Sequence, residues 1–364
     1  MTRETDEIHM AHALRLAARG NGHCWPNPSV GCVIVRDGVI LGRGTTQPGG
    51  RPHAERVALA QAGAAARGAT AYVTLEPCAH HGKTSPCAEA LVAAGVARVV
   101  SALTDPDPRV AGRGHAILRA AGIEVTEGIL TREAREITAG FLKRVTRGLP
   151  FVTLKLATTL DGRIATATGE SRWITSAPSR RAVHAMRMSH DAVLVGSGTA
   201  CADDPDLTVR DMGAARQPVR IVTDRLLSHS PDSRLGRTAR EVPVWLVHGP
   251  DAPEAARTAW TAAGATLIPC PVTAGHLDLT QAFRLLAERG LTRIFCEGGG
   301  TLAAGLIRAG LVDRLALISA GALIGADGRP ALGALGLAAL TDAPRLALME
   351  SRAIGADVFS LWRF

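Results

Sequence analysis

A chain of 364 residues is long enough for two domains, each with its own core, and long for one. With 46% hydrophobic and 20% charged residues, collagen-like, mucin-like and wholly disordered chains are excluded. The formal charge of +8 is spread over both halves, and aromatic residues make up only 3%, so base-stacking platforms are scarce. A small phosphorylated substrate accounts for that charge better than nucleic acid does.

No apolar run approaches the roughly 18 to 20 residues that cross a bilayer. The opening MTRETDEIHMAHALRLAARG is acidic and then amphipathic, unlike a signal peptide, so a cytoplasmic enzyme without a membrane partner is expected. Seven cysteines in such a chain point to metal binding or packing, not to a disulfide framework.

In chain order, Glu7 to Arg19 carries an apolar stripe at helical spacing, and VGCVIV, Arg36-Asp37-Gly38 and VILGRG read as a hairpin with a tight turn. His53 to Gly63 is helical, ATAYVTLEP is a strand, and Cys87 to Gly95 is a helix. ARVVSALTD, a helix before Gly122 and the short strand IEVTEG complete a sheet with helices on its faces. The helical pattern of TREAREITAGFLKRV ends at Gly148-Leu149-Pro150, which bounds a first domain, 1–147, and a second, 150–364. In the second, FVTLKLA, DAVLVGSG, PVRIVTD, VPVWLVHG, ATLIPCPV and RIFCEG alternate with helical stretches, the pattern of crossover units on a mostly parallel sheet. Both domains are therefore read as α/β.

In the first domain His53-Ala54-Glu55 opens one helix, and Pro77-Cys78 with Cys87 opens another, so an imidazole and two thiolates can meet over neighbouring strand ends. One zinc ion held by His53, Cys78 and Cys87 keeps a fourth position for water and lowers its pKa to about 7. Glu55, two residues past the imidazole, is placed to take the water's proton and return it to a ring nitrogen and a departing amine, which is hydrolytic deamination. Cys24, Cys32, Cys201, Cys270 and Cys296 are read as packing residues. In the second domain, Glu297-Gly298-Gly299-Gly300-Thr301 and Gly196-Ser197-Gly198-Thr199 are strand-to-helix glycine turns suited to a diphosphate. Neither is a G-x-G-x-x-G opening a βαβ unit, which disfavours a Rossmann fold.

The segments PNPSVGCVIV, PHAERVAL, TLEPCAHHGKTSPC, DPDPRVAGRG, LKLATTLDGRIA, GESRWITS, TACADDPDLTVR and CEGGGTLAAGLI run through nearly the whole chain. With them it resembles the bifunctional deaminase/reductase family of riboflavin biosynthesis, whose long PC-x8-C interval differs from the PC-x2-C of cytidine, tRNA and nucleic-acid-editing deaminases. The resemblance implies a cytidine-deaminase-like α/β/α sandwich followed by a dihydrofolate-reductase-like α/β domain. It also implies 2,5-diamino-6-(5-phosphoribosylamino)pyrimidin-4(3H)-one as substrate and NADPH as second cofactor. A homo-oligomer, a dimer, is the expected assembly. Asn27, His80 and Lys83 are then deaminase substrate residues. Ser171, Arg187, Leu207, Arg210 and Glu297 line the reductase substrate site, with Arg187 and Arg210 as a clamp on the 5-phosphate. Ala157, Trp173, Thr199, Asp203 and Gly299, Gly300, Thr301, Leu302, Ala303, Ala304 and Gly305 line the NADPH site. Arg225, where relatives often carry serine, is a reader of the 2′-phosphate. Lys155, Asp161, Asp203 and Glu297 are candidates for the proton donor of the reduction. The chain departs from the family's usual residues at Thr46 (histidine), Asp107 (asparagine), Ser85 (proline) and Gly300 (proline). Two rival readings stay open: a nucleic-acid base deaminase with a basic C-terminal binding domain, and a zinc-stabilised scaffold.

Overall fold

The computed structural model describes residues 2–81, 85–108, 110–214 and 216–364, which form two compact units, Met1–Leu149 and Pro150–Phe364. The first unit opens with α1 (Arg3–Gly20), whose N-terminus is capped by the Thr2 hydroxyl accepting from Thr5 N–H, with Glu4 and Asp6 in its first turn. β1 (Gly31–Arg36) and β2 (Val39–Thr45) pair antiparallel across Asp37-Gly38. Both turn residues have positive φ, 53° and 78°, the twist a two-residue hairpin needs.

There follow α2 (Ala54–Ala62), β3 (Thr70–Val73), α3 (Cys87–Ala94), β4 (Arg98–Ser101), α4 (Arg113–Ala120), β5 (Glu124–Glu127) and α5 (Thr131–Arg147). The sheet order is β2-β1-β3-β4-β5, with β1 antiparallel to its neighbours and β3, β4 and β5 parallel. Gly42 and Gly44 set the height of α2 above the hairpin: a Cβ at either would lie 2.1 Å from a carbonyl oxygen of α2, Ala58 and Ala54 respectively. With no side chain in the way, α2 rests directly on β2, and its first residues come down close to the strand ends.

A buried ion pair ties α1 to the other end of the sheet. Arg98 on β4 donates both terminal nitrogens to the Asp6 carboxylate at 2.8 Å, and the Tyr72 hydroxyl on β3 donates to Asp6 Oδ1 at 2.9 Å. Burial alone raises the Asp6 carboxyl, but the bonds from Arg98 and Tyr72 and the guanidinium charge outweigh it and hold the group below the usual carboxylate range.

The second unit contains β6 (Phe151–Thr159), β7 (Arg163–Ala165), α6 (Ala177–Met188), β8 (Ala192–Gly196), α7 (Ser197–Asp203), β9 (Val219–Thr223), α8 (Arg234–Arg237), β10 (Val244–His248), α9 (Glu254–Ala263) and β11 (Thr266–Pro269). It continues through β12 (Val272–Thr273), β13 (His276–Leu277), α10 (Leu279–Glu288), β14 (Arg293–Cys296), α11 (Gly300–Arg308), β15 (Arg314–Ala320), β16 (Arg329–Pro330), β17 (Ala347–Ile354) and β18 (Asp357–Arg363). Its main sheet runs β11-β10-β9-β8-β14-β6-β15-β18-β17, parallel from β11 to β15 and antiparallel at β18 and β17. Strands covered on both faces read as unbroken apolar runs, and AVLV in β8 and RIFC in β14 are buried throughout. The Asp191 carboxylate secures these two strands by accepting from Thr292 N, Thr292 Oγ1 and Arg293 N at 2.6 to 2.8 Å. That fixes the starts of β8 and β14 side by side, and Glu297 N–H donating to Leu194 O at 2.9 Å holds their other ends, where the glycine turns follow.

Two expectations are corrected here. Cys201 is exposed on α7, whereas Cys24, Cys32, Cys270 and Cys296 are buried as packing residues. The ATAYVTLEP strand ends at Val73, so Cys78 stands in irregular chain and Cys87 alone opens α3. Among the described residues no helix is long and apolar enough to cross a membrane.

The Asp6 pair yields a stability prediction. Asp6→Asn is expected to cost the first unit about 1 to 2 kcal/mol at pH 7, because Arg98 loses its bidentate partner and keeps only the exposed Glu124 as counter-charge. Since the folded pKa of Asp6 is depressed, its contribution is complete above the unfolded value of about 3.9 and disappears as pH falls through the folded value. Urea unfolding of wild type and variant across that range measures both; equal midpoints at pH 7 would refute the role.

Candidate active sites

His53 precedes α2 in extended conformation, and its ring turns back toward the start of α3. Its Nδ1 lies 3.6 Å from Cys78 Sγ and 3.4 Å from Cys87 Sγ. All three ligand atoms are within 4.8 Å of one another. Zinc bonded at about 2.0 Å to nitrogen and about 2.3 Å to sulfur in a tetrahedron requires nitrogen–sulfur separations of roughly 3.5 Å, so the donor set fits that ion. Cys78, though off the helix, is placed by it: its sulfur accepts the Cys87 N–H at 3.3 Å and its carbonyl accepts from Ala88. Cys78 is held as a thiolate, mainly by a hydrogen bond from the Cys87 thiol and also by His53, while that contact and burial push the Cys87 thiol up.

Glu55 is 3% exposed, in the first turn of α2. Burial, and then the negative charge of Cys78, push its carboxyl up to about 7. Asn27 is brought to the same place: its Nδ2 donates to Gly50 O at 2.9 Å and lies 3.4 Å from His53 Nε2. His80 is partly buried in the segment between the two cysteines, and its Nδ1 has no protein partner. Lys83 lies outside the described residues.

The departures have physical consequences. Thr46 is a buried structural residue, with Oγ1 accepting from Val30 N at 3.0 Å and its carbonyl accepting from Cys24 Sγ at 3.1 Å. Ser85 is gripped from α2: Arg56 Nη2 donates to its carbonyl at 3.1 Å and to its hydroxyl. Asp107 is buried, and its N–H donates to Asp105 Oδ1 at 2.9 Å.

Reading the sequence missed Glu76, one residue before Pro77-Cys78. Its buried carboxylate accepts from four backbone amides, Asp105 at 3.1 Å, Gly112 at 3.0 Å, Gly114 at 2.9 Å and His115 at 3.4 Å. It organises the segment from Asp105 to the start of α4 beside the cysteine ligands. An acidic residue closing the apolar run that leads out of β3, two positions before a metal ligand, was the available signal.

In the second unit the two glycine turns meet: Thr199 Oγ1 accepts from Gly299 N at 3.2 Å. A Cβ at Gly198 would meet nothing within 4 Å, and one at Gly299 only Thr199 Oγ1 at 3.6 Å, so this cradle is open to a ligand. The expected stretch Gly299 to Gly305 contracts, because Ala303 N–H is already bonded to Gly299 O and the Ala303 and Ala304 side chains are buried in the core. Gly300, Thr301 and Leu302 carry the amides at the free helix start. Gly300 also lets another segment close: its carbonyl accepts from Gly333 N at 2.9 Å, and a Cβ there would lie 2.9 Å from Pro330 O.

Glu297, at the end of β14, lies between two cations. Arg187 Nε donates to Oε1 at 2.5 Å, and Lys155 Nζ is 3.7 Å from Oε2. Burial would raise the Glu297 carboxyl, but the charges of Arg187 and Lys155 hold it below the usual range. Arg210 is half exposed and bonded to Asp206 Oδ2 at 3.3 Å. Ser171 is partly buried, Ala157 lies on β6, and the Asp203 carbonyl accepts from Arg172 Nη2 at 2.9 Å. Trp173 is 67% exposed with Arg180 over its ring at 4.6 Å. Three expectations shift. Leu207 has its side chain in the core, so only its backbone can face a ligand. Asp161 is committed as an acceptor to Thr159 Oγ1, Ile324 N and Gly325 N, which hold its carboxyl low and make it a turn anchor, not a proton donor. Arg225 is paired with Asp251, so its charge is already answered.

Residues 150–360 match the RibD C-terminal domain, and residues 3–103 match the zinc-binding region of cytidine and deoxycytidylate deaminases. The riboflavin biosynthesis protein RibD of Escherichia coli K12 is 45% identical, over 97% of this chain and 98% of its own. The chain belongs to the RibD family. The RibD protein of Aquifex aeolicus is 38% identical over 98% of both chains. The solved Acinetobacter baumannii RibD superposes with a TM-score of 0.89 at 37% identity, covering 100% of this chain and 99% of that one. A Thermotoga maritima diaminohydroxyphosphoribosylaminopyrimidine deaminase/5-amino-6-(5-phosphoribosylamino)uracil reductase has a TM-score of 0.86 at 33% identity, with 99% of each chain covered. As a member of that family the chain is a bifunctional enzyme of riboflavin biosynthesis, a zinc-binding deaminase unit joined to a reductase unit.

Glu76→Gln turns one of the acceptor oxygens into a donor facing amides. About 2 kcal/mol of local stabilisation should be lost, with deaminase kcat/KM falling and reductase kcat/KM unchanged. Parallel assays of the two activities check this; an unaltered deaminase would show that the four amides do not depend on the carboxylate.

Proposed function

We propose that the first unit removes the 2-amino group of 2,5-diamino-6-(5-phosphoribosylamino)pyrimidin-4(3H)-one by hydrolysis, and that the second reduces the ribosyl group of the resulting uracil with NADPH. The observation that carries the first step is the imidazole nitrogen 3.4 and 3.6 Å from two sulfurs, with a buried carboxylate two residues away. His53, Cys78 and Cys87 would hold the zinc, whose Lewis acidity makes a hydrolytic water reactive near neutral pH. Glu55 takes one proton from that water and passes it to the ring nitrogen; it then takes the second from the hydroxyl now on the ring carbon and gives it to the amine, whose C–N bond breaks, leaving a ring carbonyl and releasing ammonia. Asn27 orients the pyrimidine edge, and His80, with its unpartnered buried Nδ1, supplies a further polar contact. Lys83 is proposed for the phosphate.

In the second unit bound NADPH would supply a hydride for the first carbon of the opened ribose. Its diphosphate is proposed to lie on the Gly198 and Gly299 cradle, against the free amides of Gly300, Thr301 and Leu302, with Ala157, Thr199, Asp203 and Trp173 around it. Arg225 reads the 2′-phosphate once it exchanges Asp251 for that anion. Arg187 and Arg210 take the substrate phosphate, and Ser171, the Leu207 backbone and Glu297 complete its site. Of the proposed proton donors, Lys155 and Asp203 stand ahead of Glu297, whose carboxyl is held low, and of Asp161, which is committed to its turn.

Two outcomes follow. Glu55→Gln keeps one zinc per chain by metal analysis but loses at least about 100-fold in ammonia release, and a chelator removes deamination while NADPH oxidation continues; normal turnover by the variant would exclude Glu55 as the shuttle. Arg210→Ala raises the reductase substrate KM at least about tenfold and leaves the NADPH KM within about twofold. An equal loss of both would contradict the clamp.

A further inference from the structure

The segment Asp206 to Arg210 has no regular strand partner, yet its backbone is fastened by side chains from elsewhere in the second unit. Arg220 Nη1 donates to Asp206 O at 3.4 Å, and Arg187 Nη1 to Thr208 O at 2.8 Å. Gln217 brackets Val209, accepting from its N–H at 2.7 Å and donating to its carbonyl at 3.0 Å. His184 Nδ1 accepts the Arg210 N–H at 3.2 Å. Leu207 sits in the left-handed region at φ 55°, a strained place for a bulky residue, tolerated here because its side chain is buried. The segment is thus held in one shape from outside, residue by residue.

His184 and Arg187 are three residues apart on α6 and share a face of that helix. One helical face therefore grips the segment at two points, Arg187 at the Thr208 carbonyl and His184 at the Arg210 amide. We infer that His184 is a positioning residue of the reductase: by tying the Arg210 backbone to α6 it sets the distance between the Arg187 and Arg210 guanidinium groups. The inference rests on the proposal that those two arginines bind the substrate phosphate.

Imidazole accepts at Nδ1 only when that nitrogen carries no proton, so the tie exists in the neutral form alone. Burial first, then the charges of Arg187 on the same helix and Arg210 on the segment, depress His184, against an opposing pull from Glu297 at the end of β14 and from Asp211. The tie is therefore present at neutral pH and released as pH falls through the depressed pKa.

The test uses the full-length, zinc-loaded chain with His184→Leu, His184→Asn and Arg187→Ala, measuring reductase kcat and KM from about pH 5 to pH 8. An unchanged NADPH KM reports that the second unit of each variant is folded. His184→Leu should raise KM about tenfold at neutral pH with kcat within about threefold. His184→Asn, whose amide oxygen takes the place of Nδ1, should restore KM and remove the part of the acid rise in KM that wild type shows beyond ionisation of the substrate phosphate. Wild-type KM in the leucine variant, failure of asparagine to rescue, or identical pH profiles for asparagine and wild type would each overturn the inference. If Arg187→Ala leaves KM unchanged, the clamp itself is wrong and the inference falls with it. If Arg187→Ala raises KM while His184→Leu does not, only the role of His184 is lost.

Discussion

Negative charge gathers in the first unit faster than protein groups answer it. Two sulfurs and the Glu55 carboxylate share one buried region with a single imidazole. Within the protein alone they cannot all ionise: Cys78 takes the charge, Cys87 is pushed up by the sulfur contact and by burial, and Glu55 is raised. A divalent ion held by His53, Cys78 and Cys87 would let both sulfurs be thiolates and leave the carboxyl free to exchange a proton. The fold serves that balance. Gly42 and Gly44 let α2 rest on β2, which brings His53 and Glu55 down together, and the start of α3 supplies Cys87 along with the amide that orients Cys78.

The parts legible in the sequence were those set by local chemistry. The Asp37-Gly38 hairpin, the helix stop at Gly148 and the alternation of strands and helices follow from turn residues and periodicity. The ligand set His53, Cys78 and Cys87 was legible because metal geometry demands particular donors at particular spacing. What escaped was long-range bonding by ordinary residues. Glu76 collects amides up to 39 positions away, and Gln217, Arg220 and His184 act on a segment 8 to 26 positions from them. Nothing in spacing marks a glutamate or a glutamine as the partner of a distant backbone group. Pairing was equally hidden: Arg225 looked like an available cation until the chain folded Asp251 against it.

Both units solve the same problem in the same way. Functional segments at strand ends are irregular, so their amides and carbonyls lack ladder partners, and burying them unpaired would cost about 1 to 3 kcal/mol each. In the first unit one carboxylate takes four amides; in the second, four side chains each take a residue of the 206–210 segment. The arrangements differ in sensitivity. A single acidic residue concentrates the dependence at one position, whereas distributed clamps share it, so that loss of one leaves the others in place.

Glu297 illustrates why the second unit presents its cations as it does. Without Glu297, Arg187 and Lys155 would repel one another whenever no phosphate lay between them, and a buried pair of like charges without an anion would be costly. Glu297 between them offsets one charge and leaves a local excess of about one positive charge, while Arg210, at the more exposed side, is paired with Asp206. Because Glu297 accepts from Arg187 through Nε, and Thr208 O accepts through Nη1, the guanidinium plane is fixed before any ligand arrives. An anion entering this region would meet a guanidinium already oriented by Glu297 and the Thr208 carbonyl, so little ordering would remain to be done on binding.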